Sequence, residues 1–384
     1  MGYVAVKGGR EAVEASIMLL EKYRTDGDCD VELEAIERRM SLLVDRVMSE
    51  AGFYAPRYAA LALKQSQGAA DEAVFLLRAY RSTLSRAYRS LPLDGAGMVI
   101  NRRISAAFKD IPGGQFLGAT YDYTHRLLNF GLAQETPLEI ASIREKWKAC
   151  QTQAEPGPPI FAGRVSQELK DEGLIAMEER DDEPNDITQR PITFPAPRSS
   201  RLQTLARADT GFISALAYAG IRGFGPTHPT VGELRTGALE VLIPHPLLEG
   251  ETLCAGEILV TEVESIFPEE TAETKRQEED DPLLALGAGQ GDKADVSGNS
   301  LGLGIGYGMV LGRNDNKAIA MSILDYFLES GEGILSNQEF VLLHGDCLEM
   351  NGFVSHLKLP HYVTFQSKLD RVRGARRDGC NEGL

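Results

Sequence analysis

The fold class is set by two stretches in the second half of the chain: residues 238–247, ALEVLIPHPL, and residues 256–266, GEILVTEVESI. Both are rich in valine, isoleucine and leucine over the length of a strand, so they predict a sheet. A further strand-like segment, a helix over Lys317–Ser330 and the strand-like EFVLLH at 339–344 follow. The second half is therefore predicted to mix strands and helices.

Alternate glycines occupy positions 302, 304, 306 and 308. In a strand they would all lie on one face, where they would allow the close approach of another backbone or of a ligand. A flexible linker that follows the preceding segment would contain the same glycines. The sequence leaves both interpretations open.

The first part of the chain has a helical pattern from residue 10 to about residue 90. Five apolar residues recur at three- and four-residue spacing, which is the stripe of an amphipathic helix. They are Leu33, Ile36, Met40, Leu43 and Val47. A short strand at 3–6, a second long helix over 69–91 and helical pieces over 98–131 are also predicted. Together these patterns predict an α+β protein, with a helical N-terminal region packed on a mixed α/β C-terminal region.

Changes of composition divide the chain into regions. These are a mainly helical N-terminal region (1–135), a loop-rich connector (136–207), a mixed α/β region (208–366) and a basic tail (367–384). Within the third region, residues 268–300 carry nine acids, three bases and no aromatic residue. That composition predicts a disordered acidic insertion.

The overall charge, the apolar segments and the cysteines indicate which kinds of partner and which cellular compartment to expect. Acidic residues outnumber basic ones 56 to 40, a net charge of −16, which disfavours nucleic acid because its binding depends on a positive surface. No segment approaches 18 consecutive apolar residues, so no membrane span is expected. The five cysteines are scattered and form no CxxC, which suits a reducing cytosol. We expect a cytoplasmic protein with no nucleic-acid or membrane partner.

Three of the six histidines, His344, His356 and His361, fall within 18 residues. Neutral imidazole is the commonest metal ligand, and zinc accepts it in a tetrahedral site. Neither a regular helix nor a regular strand makes His356 and His361 converge, but Pro360 allows a bent segment that brings both to one ion. Hydrogen-bonded structural histidines remain the alternative.

Basic residues concentrate between residues 78 and 109, where the sequence contains seven basic residues and one acidic residue. The seven are Arg78, Arg81, Arg86, Arg89, Arg102, Arg103 and Lys109. Guanidinium groups suit phosphate oxygens, which indicates a polyanionic small molecule. Alternatively, these arginines pair with the surplus carboxylates on a helix surface. The run Arg198-Ser199-Ser200-Arg201 is either a smaller anion cradle or a helix N-cap.

A third group of chemically active residues lies in GATYDYTHRLLNFG at 118–131. Asp122, His125 and Arg126 could share one helix face, because they are three and four residues apart. A carboxylate beside an imidazole is an acid/base pair. An ion pair between Asp122 and Arg126 explains the same residues.

Several strings of this sequence closely resemble the PhnI family, subunits of the bacterial carbon–phosphorus lyase core complex. They are YVAVKGG (3–9), LALKQ (61–65), FLLRAYR (75–81), RRISAAFKDIPGGQ (102–115), TYDYTHRLL (120–128), RSSRLQ (198–203) and GFVSHLKLPHYVTFQ (352–366). The resemblance runs in order over most of the chain but excludes the acidic insertion and the basic tail.

The resemblance implies an activity. Family members, with partner subunits, displace adenine from ATP by an alkylphosphonate and form a ribose 1-alkylphosphonate 5-triphosphate, and ATP is expected to enter with magnesium. The resemblance also implies a complex with two copies of each of four chains, including a radical S-adenosylmethionine subunit, and contact with pathway proteins of the ATP-binding-cassette type. A purine-nucleotide (ATP/GTP) nucleosidase acting alone is one alternative function. A zinc-sharing scaffold for the radical subunit is another.

The same resemblance assigns residues to this chemistry. It implies zinc on His356 and His361, with His344 as a third ligand or a supporting residue, while Cys347 is not part of the family pattern. Displacement at the anomeric carbon needs a proton donor for the leaving base and fixed cations for the reacting anions. The resemblance does not identify the acid; Glu262, Asp122 and His125 are candidates for the proton donor or for the group that stabilises the oxocarbenium-like state. The candidates for the cations are Arg102, Arg103, Lys109 and the 198–201 run.

Overall fold

The strands of the described residues form a four-stranded antiparallel sheet in the order β1-β2-β3-β4. Its strands are β1 (Val99–Ile104), β2 (Thr230–Pro244), β3 (Thr252–Glu269) and β4 (Gly302–Leu311). The computed structural model describes residues 9–27, 29–153, 163–175, 184–224, 228–269, 302–331 and 333–381. The predicted strand at 3–6, and the predicted acidic insertion from residue 270 onward, lie outside these ranges.

Helices make up most of the remaining regular structure. They are α1 (Gly9–Arg24), α2 (Leu33–Arg39), α3 (Ser41–Ala51), α4 (Pro56–Gln65), α5 (Ala70–Ser82), α6 (Pro137–Gln153), α7 (Val165–Asp171), α8 (Arg198–Arg207), α9 (Thr210–Ala219), α10 (Asp315–Ser330), α11 (Gln338–Leu343), α12 (Cys347–Ser355) and α13 (Tyr362–Asn381). The α+β class is thereby confirmed. Within the described residues, no helix is long and apolar enough to cross a bilayer.

The chain divides into two compact units. One comprises Met1–Leu84, Arg207–Asp209 and Glu339–Leu384, and the other comprises Ser85–Ala206 and Thr210–Gln338. This division is discontinuous in sequence, unlike the consecutive regions drawn from composition, because the last helices join the first ones in the same unit.

The first unit is built on the apolar faces of α2–α5. Its buried core includes Val44, Val47, Met48, Ala59, Ala60, Leu63, Ala73, Val74, Leu77 and the thiol-bearing Cys347. Of the predicted stripe, Ile36 and Val47 are buried and Leu33 and Leu43 are partly buried against the core, whereas Met40 is 54% exposed. The stripe is broken into two helices, because Met40 leaves the helical conformation between α2 and α3.

In the second unit, α10 packs against one face of β3 and β4. A Cβ on Gly306 or Gly308 would collide with the backbone carbonyl oxygens of Ser322 and Ala318. These glycines therefore serve the close approach of a backbone, one of the two interpretations left open by the sequence. Asn314 caps α10 by accepting a hydrogen bond from the Lys317 amide at 3.1 Å.

Three local predictions were wrong. The helix predicted over 69–91 ends at Ser82, and further along the chain the Leu91 amide donates to the carbonyl of Leu242 on β2, at 2.8 Å. The helical pieces predicted over 98–131 include the strand β1, which pairs with β2. The strand predicted at 339–344 lies mainly in the helix α11, since an apolar run this short fits either state.

Candidate functional site

Charged side chains cover the sheet face opposite α10. Glu233 pairs in register with Glu264, and Arg235 with Glu262, so alternation along β2 and β3 directs all four to one side. Tyr307 of β4 lies opposite Glu264 and joins them. Charged residues are rarely fully buried without partners, yet all four charged side chains are buried here. This arrangement makes the face a candidate functional site.

Glu262 is the centre of the first group. Its Oε2 accepts hydrogen bonds from Arg235, with Nε at 3.1 Å. Its Oε1 accepts from Arg164 Nη2 at 2.6 Å and from the Tyr307 hydroxyl at 2.8 Å. The Arg164 guanidinium also lies 5.7 Å from the centre of the Tyr307 ring. Both oxygens of Glu262 are therefore fully engaged.

Glu264, two residues further along β3, is held less completely. A Ser166 side-chain hydrogen bond reaches it, and Arg164 Nε lies 3.9 Å from Oε1. Oε2 is buried, and in the described part of the chain it has no hydrogen-bond partner. Burial raises the pKa of Glu264 and raises the pKa of Tyr307 well above its ordinary value.

A second ion pair anchors the loops around this face. Arg103 and Glu233 are 1% and 2% exposed, with Nε to Oε1 at 2.5 Å. The other oxygen of Glu233 accepts from the Val165 amide at 3.0 Å. Arg103 also donates to the carbonyls of Pro112 and Gly163. The pair thus ties the segment before α7 to the sheet.

We name these residues the sheet cluster: Arg103, Arg164, Ser166, Glu233, Arg235, Glu262, Glu264 and Tyr307. Of these, the sequence predicted site roles only for Arg103 and Glu262. The signal that could have found others is the alternation of charge within apolar strands, in GELR at 232–235 and TEVE at 261–264. Arg164 and Tyr307 carry no such signal, because tertiary structure brings them there.

Asp122 and His125 are not part of a helix, so the prediction that they share a helix face is wrong. They occupy turns and irregular backbone, and Arg126 adopts a positive φ of 52°. The Asp122–Arg126 ion pair does form, at 3.1 Å, and Arg102 lies 2.9 Å from the same carboxylate. A Thr120 hydrogen bond and Arg102 lower the pKa of Asp122. His125 is exposed.

Most of the basic residues between 78 and 109 have carboxylate or carbonyl partners. Arg78 pairs with Asp346 at 2.5 Å, and Arg86 with Asp186 at 2.5 Å. Arg102 is buried on β1 and also lies 3.2 Å from Asp315. This pairing matches the alternative weighed from the sequence, although it involves a strand and loops as well as a helix.

Lys109, by contrast, is exposed. Among the residues predicted to bind phosphate, it is the one whose side chain is open to solvent.

The 198–201 run lies in the first turn of α8. Arg198 pairs with Asp325 at 2.5 Å, and Arg201 pairs with Glu329. The helix begins at Arg198, so Ser199 and Ser200 follow its start and the predicted N-cap is wrong. Ser200 is buried, and the buried Ser199 hydroxyl has no hydrogen-bond partner within the described residues.

The two histidines predicted to bind metal are brought together after α12. The ring centroids of His356 and His361 are 5.7 Å apart. Nδ1 of His356 contacts the carbonyl oxygen of Phe353, and Nδ1 of His361 lies 2.6 Å from that of Leu359. Both contacts fix the Nδ1–H tautomer, which leaves each Nε2 as a possible ligand.

The spacing of the pair suits one ion. Two imidazoles on a tetrahedral zinc, with Zn–N near 2.1 Å, place their ring centroids about 5 Å apart. Within the described residues, no group of three histidine, cysteine or acidic side chains could hold a metal. His344 therefore does not join the pair in this structure, and its Nδ1 lies 2.9 Å from the Phe340 carbonyl.

Comparison with known proteins identifies the family. The family model for PhnI, described as bacterial phosphonate metabolism protein, matches residues 2–379. HtxH of Stutzerimonas stutzeri, provisionally named a C-P lyase subunit protein, is 43% identical over 97% of this chain and 95% of its own length. The alpha-D-ribose 1-methylphosphonate 5-triphosphate synthase subunit PhnI of Escherichia coli (strain K12) is 42% identical, over 98% of this chain and 99% of its own.

The protein of the same name from Rhizobium meliloti (strain 1021) is 41% identical, over 98% of this chain and 95% of its own length. These matches confirm the resemblance carried by the quoted strings. Since the family model and the relatives both extend over nearly the whole sequence, the chain belongs to the PhnI family of bacterial phosphonate metabolism proteins.

Proposed function

We propose that this chain is a subunit of an alpha-D-ribose 1-methylphosphonate 5-triphosphate synthase, the activity named for two relatives about 42% identical to it. With its partners it displaces adenine from ATP by an alkylphosphonate, and ATP enters as its magnesium complex. The observation that carries this proposal is the alignment with those relatives, which covers nearly all of this chain and nearly all of each relative.

The sheet cluster supports the proposal chemically. Displacement at the anomeric carbon requires a proton for the leaving base and cations that offset the repulsion between two anionic reactants. The cluster places three arginines and three glutamates on one sheet face. Arg103 and Arg235 are each paired with a buried glutamate, so the positive charge that this face offers to solvent is the exposed part of Arg164. The exposed Lys109 is a further candidate cation.

Zinc on His356 and His361 is part of the same proposal. The two Nε2 atoms fit the ligand type, and the backbone carbonyls on Nδ1 are the outer partners that metal-bound histidines require. When bound, zinc would supply Lewis acidity or a link to a partner subunit. The histidines themselves hold their ring orientation through the Phe353 and Leu359 carbonyls.

Partner subunits account for the apolar surface around these histidines. Phe353, Leu357, Tyr362, Val363 and Phe365 are all more than 60% exposed. A patch of this kind is typical of an interaction site. We assign it to the other core subunits of a carbon–phosphorus lyase complex, the radical S-adenosylmethionine subunit among them, with ATP-binding-cassette-type proteins elsewhere in the assembly.

A cytoplasmic location is also proposed. It is supported by four cysteines that are free thiols, Cys29, Cys150, Cys254 and Cys347. Structural disulfides are typical of oxidising compartments, whereas free thiols are typical of the cytosol.

The test is to purify the chain with its partner subunits, supply MgATP and methylphosphonate, and follow adenine release and the sugar product by phosphorus NMR. We expect a ribose 1-methylphosphonate 5-triphosphate. Adenine release that gives only ribose 5-triphosphate, indifferent to phosphonate, would instead establish the nucleosidase. Failure to release adenine under any condition would leave the scaffold function.

A further inference from the structure

We propose that Glu264 is the proton donor to the purine that leaves the ribose, and that Arg164 is the cation that stabilises the glutamate carboxylate left behind. This inference rests on the proposed function and assigns a residue to one step of it.

The first argument compares the two glutamates that share this face of β3. Glu262 accepts hydrogen bonds from Arg235, Arg164 and Tyr307, which occupy both its oxygens. A carboxyl in that position has no oxygen on which to carry a transferable proton. Glu264 has one: its Oε2 is buried, and within the described residues it has no hydrogen-bond partner. The neighbouring carboxyls therefore differ in role, as pairs of acids in enzyme sites do.

The second argument is the balance of charge across the face. Arg103 is paired with Glu233, and Arg235 with Glu262. Arg164 is the remaining arginine, and it is shared between Glu262 at 2.6 Å and Glu264 at 3.9 Å. The longer contact leaves Glu264 without a close counter-ion, and burial raises its pKa. Both effects favour the neutral, proton-carrying form.

The third argument is access. Arg164 is one-third exposed, so it is the arginine through which the sheet cluster meets solvent. Its Nε is buried and, among the described residues, has no hydrogen-bond partner. It is therefore less tightly held than the fully buried Arg103 and Arg235. A small residue covers the cluster at Gly95, where a Cβ would lie 2.5 Å from Arg164 Nη2. The exposed guanidinium is thus the part of the cluster that an anionic substrate can contact from solvent, and the proposal requires Arg164 to move with that substrate so that the purine reaches the buried Glu264.

The step balances as follows. A phosphonate oxygen forms a bond to C1 of the ribose while the bond from C1 to the purine nitrogen breaks. The electron pair of the broken bond goes to the purine, which receives the proton of the Glu264 carboxyl and leaves as neutral adenine. Glu264 becomes a carboxylate beside Arg164, and a proton from water restores the acid. Such an acid contributes a factor of about 10²–10⁴ to the rate.

The test uses the complete complex with MgATP and methylphosphonate. Glu264→Gln keeps the size of the side chain but cannot donate a carboxyl proton, so adenine release should fall by about 10²–10⁴. Glu257→Gln is the matched control, because Glu257 lies on the same strand and is exposed. It should release adenine at the wild-type rate.

A second substrate separates proton donation from a structural role. Ribose 5-triphosphate carrying fluoride at C1 has a leaving group that departs without a proton. We expect Glu264→Gln to turn it over within a few-fold of wild type. Equal loss on ATP and on the fluoride would overturn the donor role, and so would an unchanged rate on ATP. If the wild-type complex releases no adenine at all, the proposed function fails together with the inference.

Discussion

The buried pair Arg103–Glu233 offers the sharpest test of how the sheet cluster is held. Replacing Glu233 by glutamine leaves one acceptor oxygen where two donors, Arg103 Nε and the Val165 amide, each need one. One donor then faces the amide NH2 group in a site that is 1–2% exposed. Breaking a buried pair on one side costs about 3–5 kcal/mol.

The lower end of that range applies, because Arg103 keeps its bonds to the carbonyls of Pro112 and Gly163. We expect Glu233→Gln to lower the free energy of unfolding by about 3 kcal/mol. The midpoint of thermal unfolding should fall by about 6–12 °C, at about 2–4 °C per kcal/mol for a unit of this size. Urea unfolding of the full chain, followed by circular dichroism, measures the first quantity, and calorimetry measures the second.

Glu240→Gln is the control, since Glu240 lies exposed on the same strand. It should change the free energy of unfolding by less than about 0.5 kcal/mol. A loss below about 1 kcal/mol for Glu233→Gln, the net value of an ordinary hydrogen bond, would refute the reasoning. An equal loss in both variants would refute it too.

Three further predictions concern other parts of the chain. Metal analysis of the purified complex should find zinc lost in His361→Ala but kept in His344→Ala, and zinc lost equally in both would contradict the two-histidine site. Burial raises the pKa of Asp186, but hydrogen bonds from a threonine hydroxyl and from Arg86 outweigh it and hold the pKa at about 2. The stability that ionised Asp186 contributes is thus fully present above pH 3.8, the ordinary pKa of an aspartate, and is lost as the pH falls toward 2. An NMR titration of the Arg86→Met variant should show the pKa of Asp186 rising toward 3.8. Burial raises the pKa of Cys347 to about 12, so mass spectrometry should find this thiol unalkylated at pH 8 in the folded chain while the exposed cysteines react.

Local sequence pattern predicted those elements whose own residues suffice to form them. The strands β2 and β3 were expected because their segments are rich in valine, isoleucine and leucine over the length of a strand, and the helix α10 was expected as well. The strand β1, with the sequence VINRRI, was missed because Arg102 and Arg103 interrupt its apolar pattern. Those arginines are buried only because partners from distant segments meet them there.

The sequence by itself determined the family and the α+β class, because these depend on strings and patterns within short segments. For His356 and His361 it showed only that Pro360 allows them to converge, and the fold brought their rings to 5.7 Å. Only the tertiary structure decided which arginines pair with carboxylates and which glutamate, among the described residues, keeps a buried oxygen without a hydrogen-bond partner. Glu262 and Glu264 are alike in sequence, two residues apart on one strand. Their difference comes from Arg235, Arg164 and Tyr307, which reach Glu262 from other segments and leave one oxygen of Glu264 buried and, within the described chain, unpartnered. Burial and pairing are properties of the folded surroundings, so no local pattern can encode them.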